Sequence, residues 1–361
     1  MAHTHFLTPG PSELFYTVAD HMKTALKENI CEISHRSKQF QQIVHHTIAQ
    51  LRELFQLPDH YYITFTASAT EVWERAIQNL SEESTLHLVN GSFSKKFYDF
   101  SKQLHRQADK WEVPLGCGFD ITQMPTFQSP ELLCITHNET STGVSMPLAD
   151  IYALRQQFPD ALLIVDAVSS APYPAIDFTQ IDSLFFSVQK CFGLPAGLGV
   201  WIFNERCVAK AESLLQKGKS IGTYHSIPSL VNAIRKNETP ETPNMLGIYL
   251  LGKVAEDMNR RGIKTIRQET DGKAAIAYHS LQQYPDKFSL FVSNPNHRSP
   301  TVIVANVLNR PAANFIAFCK QYHIVVGSGY GNLKETQIRI ANFPTHSKET
   351  FRHLADLMEK W

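Results

Sequence analysis

Two residues in the middle of the chain, Asp166 and Lys190, combine reactive side chains with apolar surroundings. Asp166 ends the run Leu-Leu-Ile-Val, where a carboxylate is costly to bury unless a cation pairs with it. Lys190 follows the apolar run 183–188 and precedes a segment rich in glycine and proline. Burial lowers the pKa of an amine and frees it as a nucleophile. The sequence therefore predicts an amine nucleophile with a nearby acid, unless Asp166 only caps a turn and Lys190 lies on the surface.

Short apolar runs typical of buried strands position both residues. Helical or loop stretches separate these runs, which favours a mainly parallel sheet covered by helices. The carboxyl ends of parallel strands meet at one edge, where ligands bind in open sheets. Asp166 and Lys190 would both lie at that edge. The predicted strands are 61–65, 85–89, 132–136, 162–165, 183–187 and 200–203.

The sequence also predicts a helix before the sheet and a smaller unit after it. Phe40, Val44 and Leu51 recur at helical spacing, which indicates an amphipathic helix that ends before Pro58. The stretch 218–243 is rich in Ser, Asn, Thr and Pro, and is typical of a connection. Further predicted helices are 230–236, 244–259, 314–322 and 348–361, and further strands are 301–307 and 337–341.

We place a domain boundary after this connection. Residues 1–243, with the N-terminal segment, would form a large domain, and residues 244–361 a smaller α+β domain.

The composition limits the classes of partner. The chain has 361 residues, with 34 Lys and Arg against 34 Asp and Glu, so no net charge attracts nucleic acid or an anionic membrane. The N-terminus lacks a secretory signal, and no apolar run is long enough to span a bilayer. The six cysteines are scattered without a CxxC pair. We therefore expect small-molecule partners, reduced thiols and a cytoplasmic location.

Segments around both residues, LLIVDAVSS and SVQKCFGLPAGLG, resemble the aspartate and Schiff-base lysine of class V aminotransferases, which are fold type I pyridoxal-phosphate enzymes. Six further segments resemble that family in the same order: LTPGPS, SHRSKQF, TASATEV, NGSF, THNETSTG and QIRIANF. The resemblance implies an α/β fold whose large domain holds a mainly parallel seven-stranded sheet. It also implies pyridoxal 5'-phosphate as cofactor, and amino and oxo acids as substrates.

The resemblance implies that the cofactor ring lies between four residues. Asp166 would pair with the pyridine nitrogen, and Lys190 would form the Schiff base and shuttle a proton. Phe93 would stack on the ring, and Thr140 would hydrogen-bond its phenolic oxygen. Outside the family, Phe93 is equally a core residue and Thr140 part of a polar turn.

The cofactor phosphate would lie at the start of a helix. Ser68, Ala69 and Thr70 stand between a predicted strand and a predicted helix, whose N-terminal amides suit an anion. The same local pattern fits an ordinary helix cap. The family also assigns Gln189 to the phosphate, and Thr242 to the phosphate of the neighbouring subunit. The resemblance therefore implies a homodimer with shared active sites.

Three residues are implied in substrate binding. Arg339 is flanked by Ile338 and Ile340, so its side chain points to the opposite face of a strand. In the family this arginine grips the substrate α-carboxylate, although the local pattern also fits an exposed arginine. His35 and Arg36 match residues that bind the substrate phosphate from the partner subunit in phosphoserine aminotransferases, but could also be a surface pair.

Two subfamilies compete. SHRSKQF, HNET and SVQK resemble phosphoserine aminotransferases, whereas LTPGPS, NETSTGV and IVVGSGYGNLKETQIRI look more like alanine-glyoxylate and serine-pyruvate aminotransferases. Thr70 replaces an arginine of the phosphoserine subfamily, and its His-Arg pair before the last strand is missing. We expect ping-pong transamination between phosphoserine and 2-oxoglutarate, with the alanine-glyoxylate type as the alternative.

Other classes fit less well. Ser187 to Lys190 satisfies the SxxK motif of penicillin-binding hydrolases, but the SDN and KTG segments are missing. A cysteine desulfurase needs a cysteine on a mobile loop, whereas Cys319 falls in a predicted helix. No metal site is expected, because neither His3 with His5 nor the other paired histidines have a matching carboxylate or cysteine set. A non-catalytic homologue is disfavoured by the intact set of acid, lysine and arginine.

Overall fold

A computed structural model describes residues 3–361, which form two sheets with helices packed around them. The strands are β1 (His5–Leu7), β2 (Tyr61–Thr66), β3 (Ser84–Val89), β4 (Gln107–Glu112), β5 (Leu132–Thr136), β6 (Asn138–Glu139), β7 (Val144–Ser145), β8 (Leu162–Asp166), β9 (Ser183–Ser187), β10 (Gly199–Asn204), β11 (Phe288–Leu290), β12 (Val302–Val307), β13 (Ile324–Ser328) and β14 (Gln337–Ala341).

The helices are α1 (Val18–Lys27), α2 (Lys38–Phe55), α3 (Ala69–Leu80), α4 (Ser92–Gln103), α5 (Leu148–Gln157), α6 (Glu205–Gln216), α7 (Ile227–Ile234), α8 (Met245–Arg261), α9 (Ile263–Gln283), α10 (Ala312–Gln321) and α11 (Lys348–Lys360). Within residues 3–361, none of them is both long and apolar enough to cross a membrane.

The large sheet has seven strands in the order β2-β10-β9-β8-β5-β3-β4. Its strands run parallel except β10, which pairs antiparallel with both β2 and β9. Strands β5, β8, β9 and β10 are buried along their whole length, since helices cover both faces. The predicted α/β fold with a mainly parallel seven-stranded sheet is confirmed.

The apolar runs of the sequence locate six strands of this sheet and miss the seventh. Strand β4 has the sequence QADKWE and exposes most of its side chains, because it lies at the sheet edge. An edge strand with polar residues carries no apolar run to reveal it.

The second sheet has the order β1-β13-β14-β12-β11. Strand β1 runs parallel to β13, with His5 opposite Ile324, so the N-terminal segment extends a sheet built otherwise from the last quarter of the chain. Arg339 lies in β14, in the middle of this sheet. The predicted division after residue 243 stays a prediction.

Helix α8 packs against α2 on the large sheet, and its residues Ile248, Leu251 and Val254 belong to the same core cluster as the sheet. The two helices approach closely at Gly252, where an added Cβ would lie 2.4 Å from Thr47 Oγ1. Glycine is therefore needed at this position for packing rather than for backbone conformation.

We expect Gly252→Ala to lower the unfolding temperature, because overpacking costs about 1–3 kcal/mol and exceeds the roughly 1 kcal/mol that alanine adds to helix propensity. The matched control is Gly272→Ala in α9, where an added Cβ meets nothing within 4 Å. This control should stabilise the protein slightly. Thermal unfolding of both variants checks the prediction, and equal shifts would contradict it.

Candidate active site

A cavity of about 240 Å³ opens at the carboxyl edge of the large sheet. It is closed on one side by the N-terminal segment and on another by residues of the second sheet. Most of the residues predicted from the sequence line it, namely Ser68, Ala69, Thr70, Phe93, Thr140, Asp166, Gln189, Lys190 and Arg339. The fold therefore brings together side chains from both sheets.

Asp166 is buried, with 3% of its surface exposed. Its Oδ1 accepts a hydrogen bond from the amide of Val168 at 3.0 Å, and its Oδ2 accepts one from Trp73 Nε1 at 3.0 Å. Burial raises the pKa of Asp166 to about 6, although these two donors and the Lys190 ammonium oppose the rise. A cation beside the carboxylate would stabilise its ionised form further.

Lys190 is also buried, and its Nζ donates a hydrogen bond to Thr140 Oγ1 at 2.9 Å. Burial lowers the pKa of Lys190 to about 8, although the Asp166 carboxylate raises it. A substantial neutral fraction near pH 8 makes the amine available as a nucleophile. Gly10 allows the N-terminal segment to cover the lysine, because a Cβ there would lie 2.8 Å from Lys190 Cε.

The start of helix α3 lines another part of the cavity. Ser68 caps the helix by accepting a hydrogen bond from the amide of Glu71 at 3.2 Å, and the amide of Ala69 donates to Ser187 Oγ at 2.8 Å. Within residues 3–361, buried Oε1 of Gln189 has no hydrogen-bond partner. Because buried polar atoms are normally hydrogen-bonded, this part of the cavity suits a polar ligand.

Glu139 is a buried acid that the sequence reasoning missed. Its carboxylate accepts hydrogen bonds from the amide of Ser94 at 2.8 Å, from the amide of Phe93 at 3.2 Å and from Ser141 Oγ at 2.7 Å. It therefore fixes the start of α4, which carries Phe93, next to the loop that carries Thr140. The signal was present as an acid inside the polar segment NETSTG, but the segment resembles an ordinary turn.

Arg339 reaches the cavity from β14. Its Nε donates to the carbonyl of Ser328 at 2.8 Å and its Nη1 donates to the carbonyl of Thr140 at 3.4 Å. Its guanidinium carbon lies 5.4 Å from the centre of the Tyr330 ring. The guanidinium is thus held at the cavity wall, where a substrate carboxylate could pair with it.

Trp73 and Tyr330 line the cavity and were missed by the sequence reasoning. Trp73 lies in α3 and holds Asp166, and Tyr330 packs against Phe93 with ring centres 5.0 Å apart. Both are aromatic residues at positions where an aromatic side chain is equally a core residue. Only the tertiary contacts distinguish them.

Three predicted residues lie outside the cavity. Thr242 Oγ1 is 3.2 Å from His35 Nδ1, and Arg36 Nη1 donates to Glu238 Oε2 at 2.8 Å. His35, Arg36 and Thr242 therefore form one surface cluster, separate from Lys190. Within this chain the cluster does not reach the cavity that contains Lys190.

A model of the aminotransferase class-V family matches residues 4–338. The chain belongs to this family. A phosphoserine aminotransferase from Nocardioides sp. is 27% identical over 338 residues, which are 93% of this chain and 89% of the relative. A crystal structure of a phosphoserine aminotransferase from Cytophaga hutchinsonii is 50% identical, covers 100% of this chain and 99% of its own, and has a TM-score of 0.97.

More distant aminotransferases share the fold. An alanine-glyoxylate aminotransferase from Nostoc sp. is 21% identical with a TM-score of 0.81, covering 100% of this chain and 95% of its own. The chain is accordingly a pyridoxal-phosphate-dependent transferase whose substrates are amino and oxo acids, as predicted.

The residues around the cavity of this class V aminotransferase fit pyridoxal phosphate. Asp166 is a buried carboxylate that forms no salt bridge within residues 3–361. Lys190 is a buried amine with a lowered pKa. The start of α3 and Gln189 line the same cavity and offer polar groups to the phosphate. Residues suited to the ring and residues suited to the phosphate thus line one cavity.

His225 links the start of α3, at the cavity, to the surface cluster. The imidazole is 1% exposed and lies between two acids, with Nδ1 2.6 Å from Glu71 Oε1 and Nε2 2.9 Å from Glu241 Oε2. Burial alone would lower the pKa of His225, but the ion pairs with Glu241 and Glu71 raise it to about 9. Glu71 in turn accepts a hydrogen bond from the amide of Ala67.

Because the pKa of His225 is raised on folding, its ion pairs stabilise the protein fully below the unfolded-state pKa of about 6.5 and lose this effect as the pH rises through about 9. We expect the unfolding temperature to fall over this interval in the wild type and to fall less in His225→Gln. The exposed His279→Gln is the control and should follow the wild type. Parallel pH profiles for wild type and His225→Gln would contradict the prediction.

The N-terminus also shows a contact that the sequence reasoning did not predict. His3, His5 and Glu13 place ligand atoms within 4.8 Å of one another. A carboxylate thus does accompany the first histidine pair, because the chain turns back after β1 and Glu13 Oε2 accepts from the amide of Phe6.

Proposed function

We propose that the protein transfers the amino group between phosphoserine and 2-oxoglutarate. The observation that carries the proposal is the single cavity that joins a buried amine, a buried acid and an arginine, namely Lys190, Asp166 and Arg339. The phosphoserine substrate is taken from the relatives, since the protein from Cytophaga hutchinsonii is 50% identical along the whole chain. The alanine-glyoxylate aminotransferase from Nostoc sp. shares the fold at only 21% identity, so the comparison does not favour that alternative.

Pyridoxal phosphate, when bound, supplies an electron sink for the negative charge that develops at the substrate Cα. Asp166 would hold its ring nitrogen, Lys190 its aldehyde carbon, and Ser68 with Gln189 its phosphate. In its ionised form, Asp166 would keep the ring nitrogen protonated. The Trp73 indole and the Val168 amide keep this carboxylate in place.

Lys190 moves the proton in this mechanism. With a pKa of about 8, the neutral amine could accept the proton from the substrate Cα, and the resulting ammonium could then donate it again. Thr140 orients the amine through the hydrogen bond from Nζ. Arg339 would hold the substrate α-carboxylate, which places Cα within reach of the amine.

The surface cluster of His35, Arg36 and Thr242 would serve the neighbouring subunit of a homodimer. Two facts support this assignment: the three residues resemble those that act across the subunit boundary in the family, and they lie together outside the cavity of their own chain. Glu238 and backbone carbonyls hold Arg36 in place within its own chain. The cluster is therefore positioned before a partner subunit binds.

The setting of the reaction would be serine biosynthesis in the cytoplasm. Phosphoserine differs from serine only by its phosphate, so a hydrolytic step on the product would yield the amino acid. All six cysteines are free, which suits a reducing compartment.

We expect Lys190→Ala to lose phosphoserine transamination by roughly 10³-fold or more, because it lacks the proton-transferring amine. The exposed Lys95→Gln is the control.

Wild-type protein should bind pyridoxal phosphate, seen in its visible absorption, and this absorption should change with phosphoserine more readily than with alanine or serine. A response to alanine or serine but not to phosphoserine would overturn the proposed substrate.

A mixture of two variant subunits tests whether each active site contains residues from both subunits. Neither Lys190→Ala nor Arg36→Ala alone should turn over phosphoserine well. If Arg36 acts on the partner's site, a heterodimer of the two variants contains one intact site and regains activity. Dissociating and reassociating the mixture provides the measurement. Activity no higher than that of the separate variants would contradict the shared site.

A further inference from the structure

The proposed substrate has two anionic ends, and the cavity supplies cations for only one of them. Among the residues that line it, Lys190 and Arg339 carry positive charge. Lys190 is committed to the chemistry, and Arg339 would pair with the α-carboxylate. Thr70 stands where the phosphoserine subfamily has an arginine. Apart from Arg36, which would come from the partner subunit, the phosphate of the substrate therefore has no cation among the residues that line the cavity.

Lys96 lies at the edge of the cavity. It is in α4, one helical turn after Phe93, so both side chains leave the same face of the helix. Its Nζ donates a hydrogen bond to the Tyr330 hydroxyl at 2.8 Å, and lies 5.5 Å from the centre of the Phe93 ring. Phe93 and Tyr330 both line the cavity. The ammonium is thus held at the edge of the site although the residue is exposed.

The charge of Lys96 is not used elsewhere in the part of the chain that the structure describes. Its neighbour Lys95 pairs with Asp99 at 2.7 Å, whereas Lys96 has no carboxylate partner among residues 3–361. Its contacts are the Tyr330 hydroxyl and two aromatic rings, which leave ammonium protons free for an anion. Tyr330 also lies beside Arg339, with the guanidinium carbon 5.4 Å from its ring centre.

We propose that Lys96, together with the Tyr330 hydroxyl, binds the distal phosphate group of the amino substrate and so determines specificity for a phosphorylated substrate. The role rests on the proposed function. A lysine is a flexible point charge, so it can follow the phosphate but does not form a bidentate pair. Lys96 would act from the same subunit as Lys190, and Arg36 from the partner.

The test is steady-state kinetics of the holoenzyme with phosphoserine. We expect Lys96→Gln to raise KM about tenfold, the size expected for losing one hydrogen bond to a charged group, and to leave kcat within about twofold. Lys96→Arg should restore most of the affinity. Lys95→Gln is the matched control, because it removes a neighbouring charge that is already paired, and should keep the KM of the wild type.

Inorganic phosphate supplies a second measurement. As a competitor of phosphoserine it should inhibit Lys96→Gln more weakly than wild type or Lys95→Gln. If Lys96 and Tyr330 act as a pair, Tyr330→Phe should add little to the effect of Lys96→Gln. An unchanged KM in Lys96→Gln, or a loss of kcat with unchanged KM and unchanged phosphate inhibition, would overturn the role of Lys96. A wild type that does not turn over phosphoserine would instead overturn the proposed function.

Discussion

Burying an acid and an amine at the ends of two adjacent strands is the constraint on which the site depends. Strands β8 and β9 are neighbours. Asp166 is the last residue of β8, Lys190 follows shortly after the end of β9, and both are buried. Desolvation penalises both charges, as the raised pKa of Asp166 and the lowered pKa of Lys190 show. The protein offsets part of this cost with the Trp73 indole, the Val168 amide and the Thr140 hydroxyl, and leaves the rest to a ligand.

Other elements are arranged to enclose these two residues. Glu139 connects the start of α4 to the loop that carries Thr140, so Phe93 and the hydrogen-bond acceptor of Lys190 are held next to each other. Strand β14 of the second sheet contributes Arg339, and the connection between β13 and β14 contributes Tyr330. The N-terminal segment covers the lysine through Gly10. A site made of both sheets can discriminate substrates by groups that neither sheet holds alone.

Ion pairs of His225 connect the start of α3 to the surface cluster of His35, Arg36 and Thr242. His225 lies between Glu71, next to the cap of α3, and Glu241, next to Thr242. An imidazolium between two carboxylates holds these segments together, since removing the imidazole would leave the two carboxylates without their shared cation. The residues that would hold the cofactor phosphate and those that would act on a partner subunit are thereby joined within one subunit.

The fold class and the reactive pair were predictable from the amino-acid sequence alone. Apolar runs revealed the buried strands of the large sheet, because strands covered on both faces must be apolar throughout, and an Asp and a Lys at their ends stand out against that background. Edge strand β4 escaped because an exposed edge needs no apolar pattern. Strand β1 escaped because three residues carry too little periodicity.

The surroundings of the reactive pair were decided only by the tertiary structure. Trp73, Glu139, Tyr330 and Lys96 come from two helices, a short strand and a loop, and in each case the local sequence fits a core residue, a turn or a solvated lysine equally well. Their roles depend on which side chains meet across the two sheets. Such contacts follow from packing between elements that are distant in sequence, and local patterns carry no information about them.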